Sequence, residues 1–360
     1  MHPNAARTLL SAAARTVVAA RTVVAAVAGL AAAAALGGCG PFSDARSADV
    51  DLLPPQVQSV RSESPTEVSV TFDEEASLCD GTTRVSPSLT MSAGSDPMDA
   101  RRVTLKGERQ QPGRRYVLEA EARDHRGNSA SFAAEFYGYN GRVPPLLINE
   151  ITPRGSDSHP DAVEIKALTD GNLGGAVLFF GSPSSHDARL VFPPLEVKAG
   201  SFIVIHLKPT GDPAEVDETG DPAASGGKDA CRTAWDLWMK DSPGLPGSNG
   251  ALSLCDRLGG AWLDAVLWSN RTSQSDEAYG GFGSDQMRAR AEELTQAGAW
   301  PASGAHVDPE DAVNPEGSTA TRSICRSSAS GDTNTAADWH IVPTRKASLG
   351  AENSDDVYVP

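Results

Sequence analysis

The chain has 360 residues, and its 47 acidic against 31 basic residues give a formal net charge of −16 at pH 7. So acidic a chain repels phosphate backbones, and its basic residues form no run longer than pairs such as Arg101-Arg102, so we expect no nucleic-acid partner. The length suits about two domains, and 34 glycines and 25 prolines without long amphipathic repeats favour short strands joined by turns. The predicted fold class is all-β.

Residues 1–38 have the pattern of a secretory signal. They contain three arginines and no acid, and the segment 22–36 consists almost entirely of Ala, Val, Gly and Leu. This apolar run is shorter than the ~20 residues that a membrane-spanning helix needs. It ends in Leu36-Gly37-Gly38-Cys39, which resembles the site where bacterial lipoprotein signal peptides are cut and acylated.

The resemblance implies that Cys39 becomes the mature N-terminus and that its acyl chains hold the protein on a membrane face. Residues 39–53, polar and without periodicity, then form a lipidated tether, and the rest of the chain is extracytoplasmic. Without residues 1–38 the formal charge is −19. An ordinary secretory signal with an incidental cysteine, a single membrane anchor and a later start codon are the alternatives.

Four cysteines follow the tether, namely Cys79, Cys231, Cys255 and Cys325. In an oxidising compartment they allow up to two disulfides in three pairings, among which the sequence does not choose. We favour Cys231 with Cys255, a bridge that would staple a long insertion to a strand. A zinc site is the competing idea, but no Cys-x-x-Cys spacing supports it.

Residues 54–140 predict a first β-sandwich. Apolar and polar residues alternate in several short runs, as in half-buried strands. The segment resembles bacterial Ig-like domains, which serve as spacers or adhesive modules. The resemblance rests on the run 68–72 followed by Asp73, on Pro112-Gly113 before Tyr116, and on the turn 124–128.

After a proline-bearing linker at 141–145, residues 146–353 predict a second sandwich, and 354–360 form a tail. This part of the chain resembles the lamin-tail domain in four features: the Ile-Asn-Glu-Ile strand at 148–151, the hairpin from Ala199, the Leu-Ser-Leu-Cys-Asp hairpin at 252–256 and Trp339. The resemblance implies a second Ig-like sandwich of a kind that accompanies exported and surface proteins in bacteria.

Two insertions, near 208–250 and 269–318, interrupt the second sandwich. Each is predicted to be partly helical: residues 285–299 favour one helix, and apolar residues at helical spacing favour another, namely Cys231, Ala234, Trp235, Trp238 and Met239. Both apolar stripes either pack on the sandwich or form a partner-binding surface. In the second case Trp235 and Trp238 are the candidate anchors.

No segment predicts catalysis, a cofactor or a metal. Ser184-Ser185-His186-Asp187 has catalytic residue types, but adjacency in sequence does not produce triad geometry. The glycine-rich stretch 280–284 lacks the P-loop lysine. Asp332-Thr333-Asn334 begins like a calcium loop but lacks its glycine and glutamate, and the acidic groups at 212–221 and 308–311 are interpreted as solvated loops.

The sequence therefore predicts a membrane-anchored envelope lipoprotein that acts as a non-catalytic binding or scaffolding module through its second domain. The expected partner is an envelope protein or the cell wall. The alternative is a hydrolytic or accessory surface enzyme with an unrecognised site in that domain. A concave pocket lined by converging titratable groups would favour the enzyme, and exposed tryptophans on a flat surface would favour binding.

Overall fold

The computed structural model describes residues 51–360, and β-strands dominate them. The all-β prediction is confirmed. The signal peptide, Cys39 and the tether up to residue 50 lie outside the described residues.

The first eight strands lie between residues 57 and 137 and form two sheets. The strands are β1 (Val57–Ser64), β2 (Glu67–Phe72), β3 (Ser77–Leu78), β4 (Arg84–Ser86), β5 (Met91–Ser95), β6 (Arg102–Gly107), β7 (Arg115–Arg123) and β8 (Ser129–Tyr137). One sheet has the order β1-β2-β6-β5; in the other, β7 pairs with β3, β4 and β8.

Strand β7 shows why these segments form a sandwich. Its buried residues are Tyr116, Leu118, Ala120 and Ala122, every second position along the strand. Because successive side chains of a strand point to opposite faces, one face of β7 enters the core and the other meets solvent. The core between the sheets also includes Val68, Phe72 and Phe136.

The remaining strands form the second sandwich. They are β9 (Leu146–Ile151), β10 (Ala162–Ala167), β11 (Gly171–Asn172), β12 (Val177–Gly181), β13 (His186–Val191), β14 (Glu196–Val197), β15 (Phe202–Leu207), β16 (Trp235–Met239), β17 (Asn249–Cys255), β18 (Trp262–Ser269), β19 (Ile324–Arg326) and β20 (Trp339–Ile341).

A six-stranded sheet, β16-β15-β10-β9-β19-β20, packs on a four-stranded sheet, β13-β12-β17-β18, while β11 and β14 pair separately. The large core between them contains residues of both sheets, such as Ile148, Ile203 and Leu252. Strands β9 and β15 are buried at every position. The outer face of the six-stranded sheet is therefore covered as well.

The first insertion does not contain the predicted helix. Residues Trp235–Met239 form strand β16, which pairs in parallel with β15 at the edge of the six-stranded sheet. In a strand, Leu237 points to the main core while Asp236 and Trp238 lie on the outer face. A partner strand that supplies a hydrogen-bond ladder thus overrides the helical spacing of the sequence.

The second insertion contains the predicted helix, α1 (Asp285–Gln296). The Ser284 side chain accepts a hydrogen bond from the Met287 amide and caps the helix. Met287, Ala291 and Leu294 are buried against the main core. Of the two alternatives for this stripe, the structure shows packing on the sandwich.

The segment 343–356 crosses the outer face of the six-stranded sheet, and we call it the C-terminal strap. Its Leu349 packs on an apolar patch formed by Ala162, Phe202, Val204 and Ala234. The Asn353 amide nitrogen donates to the carbonyl oxygens of Asn149 and Arg326. The strap is thus held along the sheet by side chains as well as by packing.

The two sandwiches lie in one compact unit, residues 51–360. The Asn140 amide nitrogen donates to the carbonyl oxygens of Asn172 and Gly174, and an Arg61 nitrogen donates to the Gly259 carbonyl at 2.6 Å. Within this part of the chain no helix has the length and apolar character required of a membrane span.

Candidate functional site

A pocket of about 460 Å³ lies on the outer side of the six-stranded sheet, between β10, β15, β16 and the C-terminal strap. Aromatic, aliphatic, hydroxyl and charged side chains line it: Thr152, His159, Pro160, Ala162, His206, Leu207, Pro209, Thr210, Glu215, Lys228, Asp229, Cys231, Trp238, Ala320, Thr321, Arg345, Ala347 and Leu349. Its size lies within the range of small-molecule sites.

A buried imidazole of the pocket lining has a carboxylate partner. His206 Nε2 lies 2.8 Å from Asp236 Oδ1, and both side chains are at least nine-tenths buried. The His206 ring also stacks on Trp238, with 4.0 Å between ring centroids. The strands bring these groups together, because β15 and β16 pair in parallel with His206 opposite Trp238.

A hydrogen-bonded frame fixes Asp236. Its Oδ2 accepts the Cys231 amide at 2.7 Å, and its own amide donates to Glu218 at 2.8 Å. Glu218 in turn accepts the Ser225 amide. The carboxylate therefore holds His206 in one orientation, as second partners of functional histidines commonly do.

A second histidine–carboxylate pair lies at the rim. His159 Nδ1 is 3.1 Å from Asp229 Oδ1, and about half of the histidine side chain is exposed. Glu215, the other acid of the lining, accepts bonds from the Thr210 amide and hydroxyl and from the Gly211 amide. Each acid of the lining is thus engaged by a neighbour.

Two basic residues of the pocket lining have no acidic partner. Lys228 and Arg345 form no ion pair with any residue of the described range 51–360. In a chain of strongly acidic composition, these two cations stand at the mouth of a largely apolar pocket.

Cys231 is a poor nucleophile in this setting. Burial, and then the charges of Asp236 and Glu164, raise the pKa of its thiol to about 12. Its sulfur lies 3.5 Å from the Leu349 carbonyl oxygen of the strap. The thiol therefore stays protonated at neutral pH and serves as an apolar wall.

The predicted Cys231–Cys255 disulfide is absent. Both residues are free thiols, as are Cys79 and Cys325. Cys231 packs under the strap, whereas Cys255 is buried with Val177 and Phe179 on the four-stranded sheet. The prediction was wrong because the insertion that carries Cys231 folds onto the other sheet.

The two candidate anchor tryptophans do not form an exposed surface. Trp238 is buried on His206, and its indole nitrogen donates to the Ser225 hydroxyl at 2.9 Å. Trp235 is half-buried and packs against the main core. Trp238 does form part of the pocket wall, so one predicted residue lies at the site, in a different role.

The segment 184–187 has no triad geometry. Asp187 binds Arg290 of α1 through both carboxylate oxygens, and the Ser184 hydroxyl donates to Glu293. Asp332 accepts from Arg326. Of the acidic residues interpreted as solvated loops, Glu215 and Glu218 are in fact buried and organise the first insertion.

In the first sandwich, Asp51, Glu74 and Asp124 bring carboxylate oxygens within 4.8 Å of one another. They are the one group of His, Cys, Asp and Glu side chains in residues 51–360 close enough to share a metal ion. Partial burial and the charges of Asp51 and Asp124 raise the pKa of Glu74. Asp124 already accepts the Arg126 and Asn128 amides of its turn.

Sequence reasoning missed the histidines and their partners. His159, His206, Asp229 and Asp236 carry no shared motif, because they meet only through the pairing of β15 with β16 and the path of the intervening loop. One signal in the sequence does place His206. The apolar residues Ile203, Ile205 and Leu207 alternate along β15 and face the core, so His206 between them lies on the opposite face of the strand.

Among protein families, a model described as TP_1001 protein second domain matches residues 144–341, more than half of the chain. A protein of Treponema pallidum (strain Nichols), named "Uncharacterized protein", is 26% identical over 244 residues, or 67% of this chain. The chain spans 61% of that relative's length.

Among solved structures, the dimeric latent PorU from Porphyromonas gingivalis matches 57% of this chain and 18% of its own, with 15% identity and a TM-score of 0.19. At that score the likeness carries no structural conclusion.

Proposed function

The chain belongs to the TP_1001 protein second domain family, and we propose that it is a cell-envelope lipoprotein whose second sandwich binds an organic anion with an apolar body. The family match at 144–341 includes most residues that line the pocket. In this proposal residues 54–140 are an Ig-like spacer, and residues 146–353 are a lamin-tail-like binding domain.

The pocket is the observation that carries the proposal. It is concave, large enough for a small molecule, and lined by buried aromatic and polar side chains on rigid strands. By the criteria of the sequence analysis, a concave pocket with titratable groups also favours the enzyme alternative, so that alternative is kept below as a second candidate.

The chemistry of the lining supports the ligand class. Ala162, Trp238 and Leu349 offer an apolar surface, and Lys228 and Arg345 offer charge-assisted donors without acidic partners. Since Glu215 is satisfied by its own loop and Asp229 by His159, neither acid needs a cationic ligand. A carboxylate attached to a hydrocarbon matches this combination.

Calorimetric titration with three probes of one chain length tests the ligand class: decanoate, decanol and decylamine. We expect decanoate to bind most tightly and decylamine least. Replacing Lys228 and Arg345 with alanine should weaken decanoate at least about tenfold, because each charge-assisted hydrogen bond contributes ~1.5–3 kcal/mol.

A blocking variant locates the site. Thr321→Trp fills the pocket wall and should abolish decanoate binding, whereas Thr66→Trp, an exposed position in the first sandwich, should leave it unchanged. The proposal would be contradicted if both variants bound decanoate with the same affinity, or if the parent protein bound all three probes with the same affinity.

The anchor has its own test. Cys39→Ser should prevent acyl-chain labelling in cells and leave an uncleaved or soluble product, since the acyl chains attach to that cysteine. Labelling that persists in this variant would remove the lipoprotein part of the proposal and leave the pocket untouched.

Acid–base catalysis is a second candidate function, favoured by the buried His206–Asp236 pair facing the pocket. If the protein turns over its ligand, Asp236→Asn should slow turnover while binding persists, because the imidazole loses its orienting carboxylate. Mass spectrometry of the ligand after incubation with the parent and the variant separates this candidate from simple binding.

A further inference from the structure

The C-terminal strap forms one wall of the pocket. Arg345, Ala347 and Leu349 line the cavity from this side. Any movement of the strap away from the sheet therefore widens the site. What holds the strap decides how accessible the pocket is.

Two buried glutamates hold it. Glu150 on β9 accepts the Ser348 amide at 2.9 Å and the Ser348 hydroxyl at 2.7 Å. Glu164 on β10 accepts the Gly350 amide at 2.5 Å. All three donors come from the strap and are lost if it leaves, whereas Glu164 keeps the bond from the Asn149 side-chain amide at 2.7 Å.

The glutamates lie directly opposite each other, because Glu164 and Glu150 are paired residues of neighbouring antiparallel strands. Both are fully buried. Like charges in this arrangement repel. Protonation of one of the two carboxylates removes that repulsion, as in other carboxylate pairs.

We propose that the C-terminal strap is a proton-controlled latch on the pocket, closed while the Glu150–Glu164 pair holds a proton and released when the pair loses it. The inference rests on the proposed binding function of the pocket. It adds a means by which the pH of the compartment sets access to that site.

Other charged and titratable groups face the pair from each neighbouring element. Lys166 of β10 favours the ionised form of Glu164, and His340 of β20 favours that of Glu150. Cys231 and Cys325 are held protonated by the negative charge of the pair and by burial. Lys166 also pairs with Glu352 of the strap.

The direction of the pH effect follows from linkage. Burial, and then the Glu150 charge, raise the pKa of Glu164 from 4.5 to about 8. The hydrogen bonds from Ser348 and Gly350 favour the ionised form, and burial opposes it. Because opening exposes the pair to water, the part of the raised pKa that comes from burial under the strap stabilises the closed state fully below the ordinary value. This stabilisation is lost as the pH rises towards the raised value. The latch is therefore tightest in acid and has lost its proton-linked hold above about pH 8.

Hydrogen exchange of the Ser348 and Gly350 amides tests the latch in the full mature chain carrying Cys39→Ser. After correction for intrinsic exchange, we expect strap opening to increase by up to about tenfold per pH unit between pH 5 and 8 and then to level off. Glu164→Gln, which stays neutral, should remove this slope and keep the strap protected.

Asp356→Asn is the matched control, since it removes from the same strap an exposed carboxylate that pairs with Lys346, and it should leave the slope intact. Hydrogen exchange of the β17 amides shows whether any variant unfolds as a whole. A slope in Glu164→Gln equal to that of the parent would overturn the proposal.

A steric variant lifts the strap without changing charge. A Cβ at Gly350 would lie 2.8 Å from Cys231 Cβ, and the residue has φ of +83°. Gly350→Ala should therefore raise strap exchange at every pH. Gly200→Ala, with φ of +81° and no atom within 4 Å, carries the same backbone cost without the clash and should leave the strap closed.

The two proposals fail in different ways. If decanoate does not bind but the strap shows the predicted exchange slope, the latch stands and the ligand class is wrong. If decanoate binds with the same affinity in parent and Gly350→Ala, the strap does not control access, and the latch proposal fails even though the pocket is a binding site.

Discussion

At the scale of single residues, Arg326 ties the two sheets of the second sandwich together. Its side chain is fully buried, and it donates to both oxygens of Asp264 at 3.1 Å and to the Ile148 carbonyl at 2.9 Å. Asp264 lies on β18 of one sheet and Ile148 on β9 of the other. The guanidinium also lies over the Trp339 ring, 4.7 Å from its centroid.

Removal of this arginine should be costly. Arg326→Met leaves Asp264 buried without its cation, and breaking a buried ion pair in this way typically costs ~3–5 kcal/mol of unfolding free energy. Urea unfolding measures the loss. Arg288→Met, on the exposed side of α1, is the control and should change stability by under about 1 kcal/mol.

The double variant Arg326→Met with Asp264→Leu separates two causes of the lost stability. If it is as unstable as Arg326→Met alone, the stability is lost through packing and not through the unpaired carboxylate. We expect the double variant to recover part of the stability, because replacing both partners with apolar groups removes the unpaired charge.

At the scale of elements, the two insertions show what the sequence can and cannot decide. Helix α1 was predictable because a capping serine, an acid in the first turn and apolar residues at 287, 291 and 294 agree. Strand β16 has apolar residues at helical spacing too, but only five residues form the element. The conformation of so short a segment is determined by pairing with its neighbour β15 and not by its own apolar pattern.

The helix cap offers a test at this scale. Ser284→Ala removes the acceptor for the Met287 amide and should cost about 1 kcal/mol of unfolding free energy, with faster hydrogen exchange in the first turn of α1. Ser303→Ala is a suitable control, because that serine is exposed and bonds through its backbone amide. No difference between these two variants would mean that packing alone holds α1.

The candidate site was less predictable than the fold. Strand alternation in β7 and the apolar run of β9 depend on neighbours in sequence, so the all-β class follows from the chain. The pocket collects residues from 152 to 349, and its acid–base pair depends on which strand β15 accepts as its partner. Pairing between distant segments is a property of the folded sheet that no local spacing encodes.

At the scale of the whole molecule, the two sandwiches meet through backbone contacts. A Cβ at Gly113, in the turn before β7, would lie 2.5 Å from the Gly174 Cα of the second sandwich. Asn140, the last residue of the first domain, binds the same segment through the Gly174 carbonyl. Two sandwiches in contact this close behave as one body, so we expect no hinge motion at 141–145.

The last prediction tests this coupling. Gly113→Ala should push the sandwiches apart, because main-chain atoms of Gly174 cannot yield as a flexible side chain does, whereas Gly127→Ala meets no atom within 4 Å. Both glycines have positive φ, +68° and +94°, so both variants carry a backbone cost of about 1 kcal/mol and differ chiefly in the clash. Limited proteolysis should cut the linker faster in Gly113→Ala alone. Equal cleavage in the two variants would contradict the interpretation that the two sandwiches behave as one body.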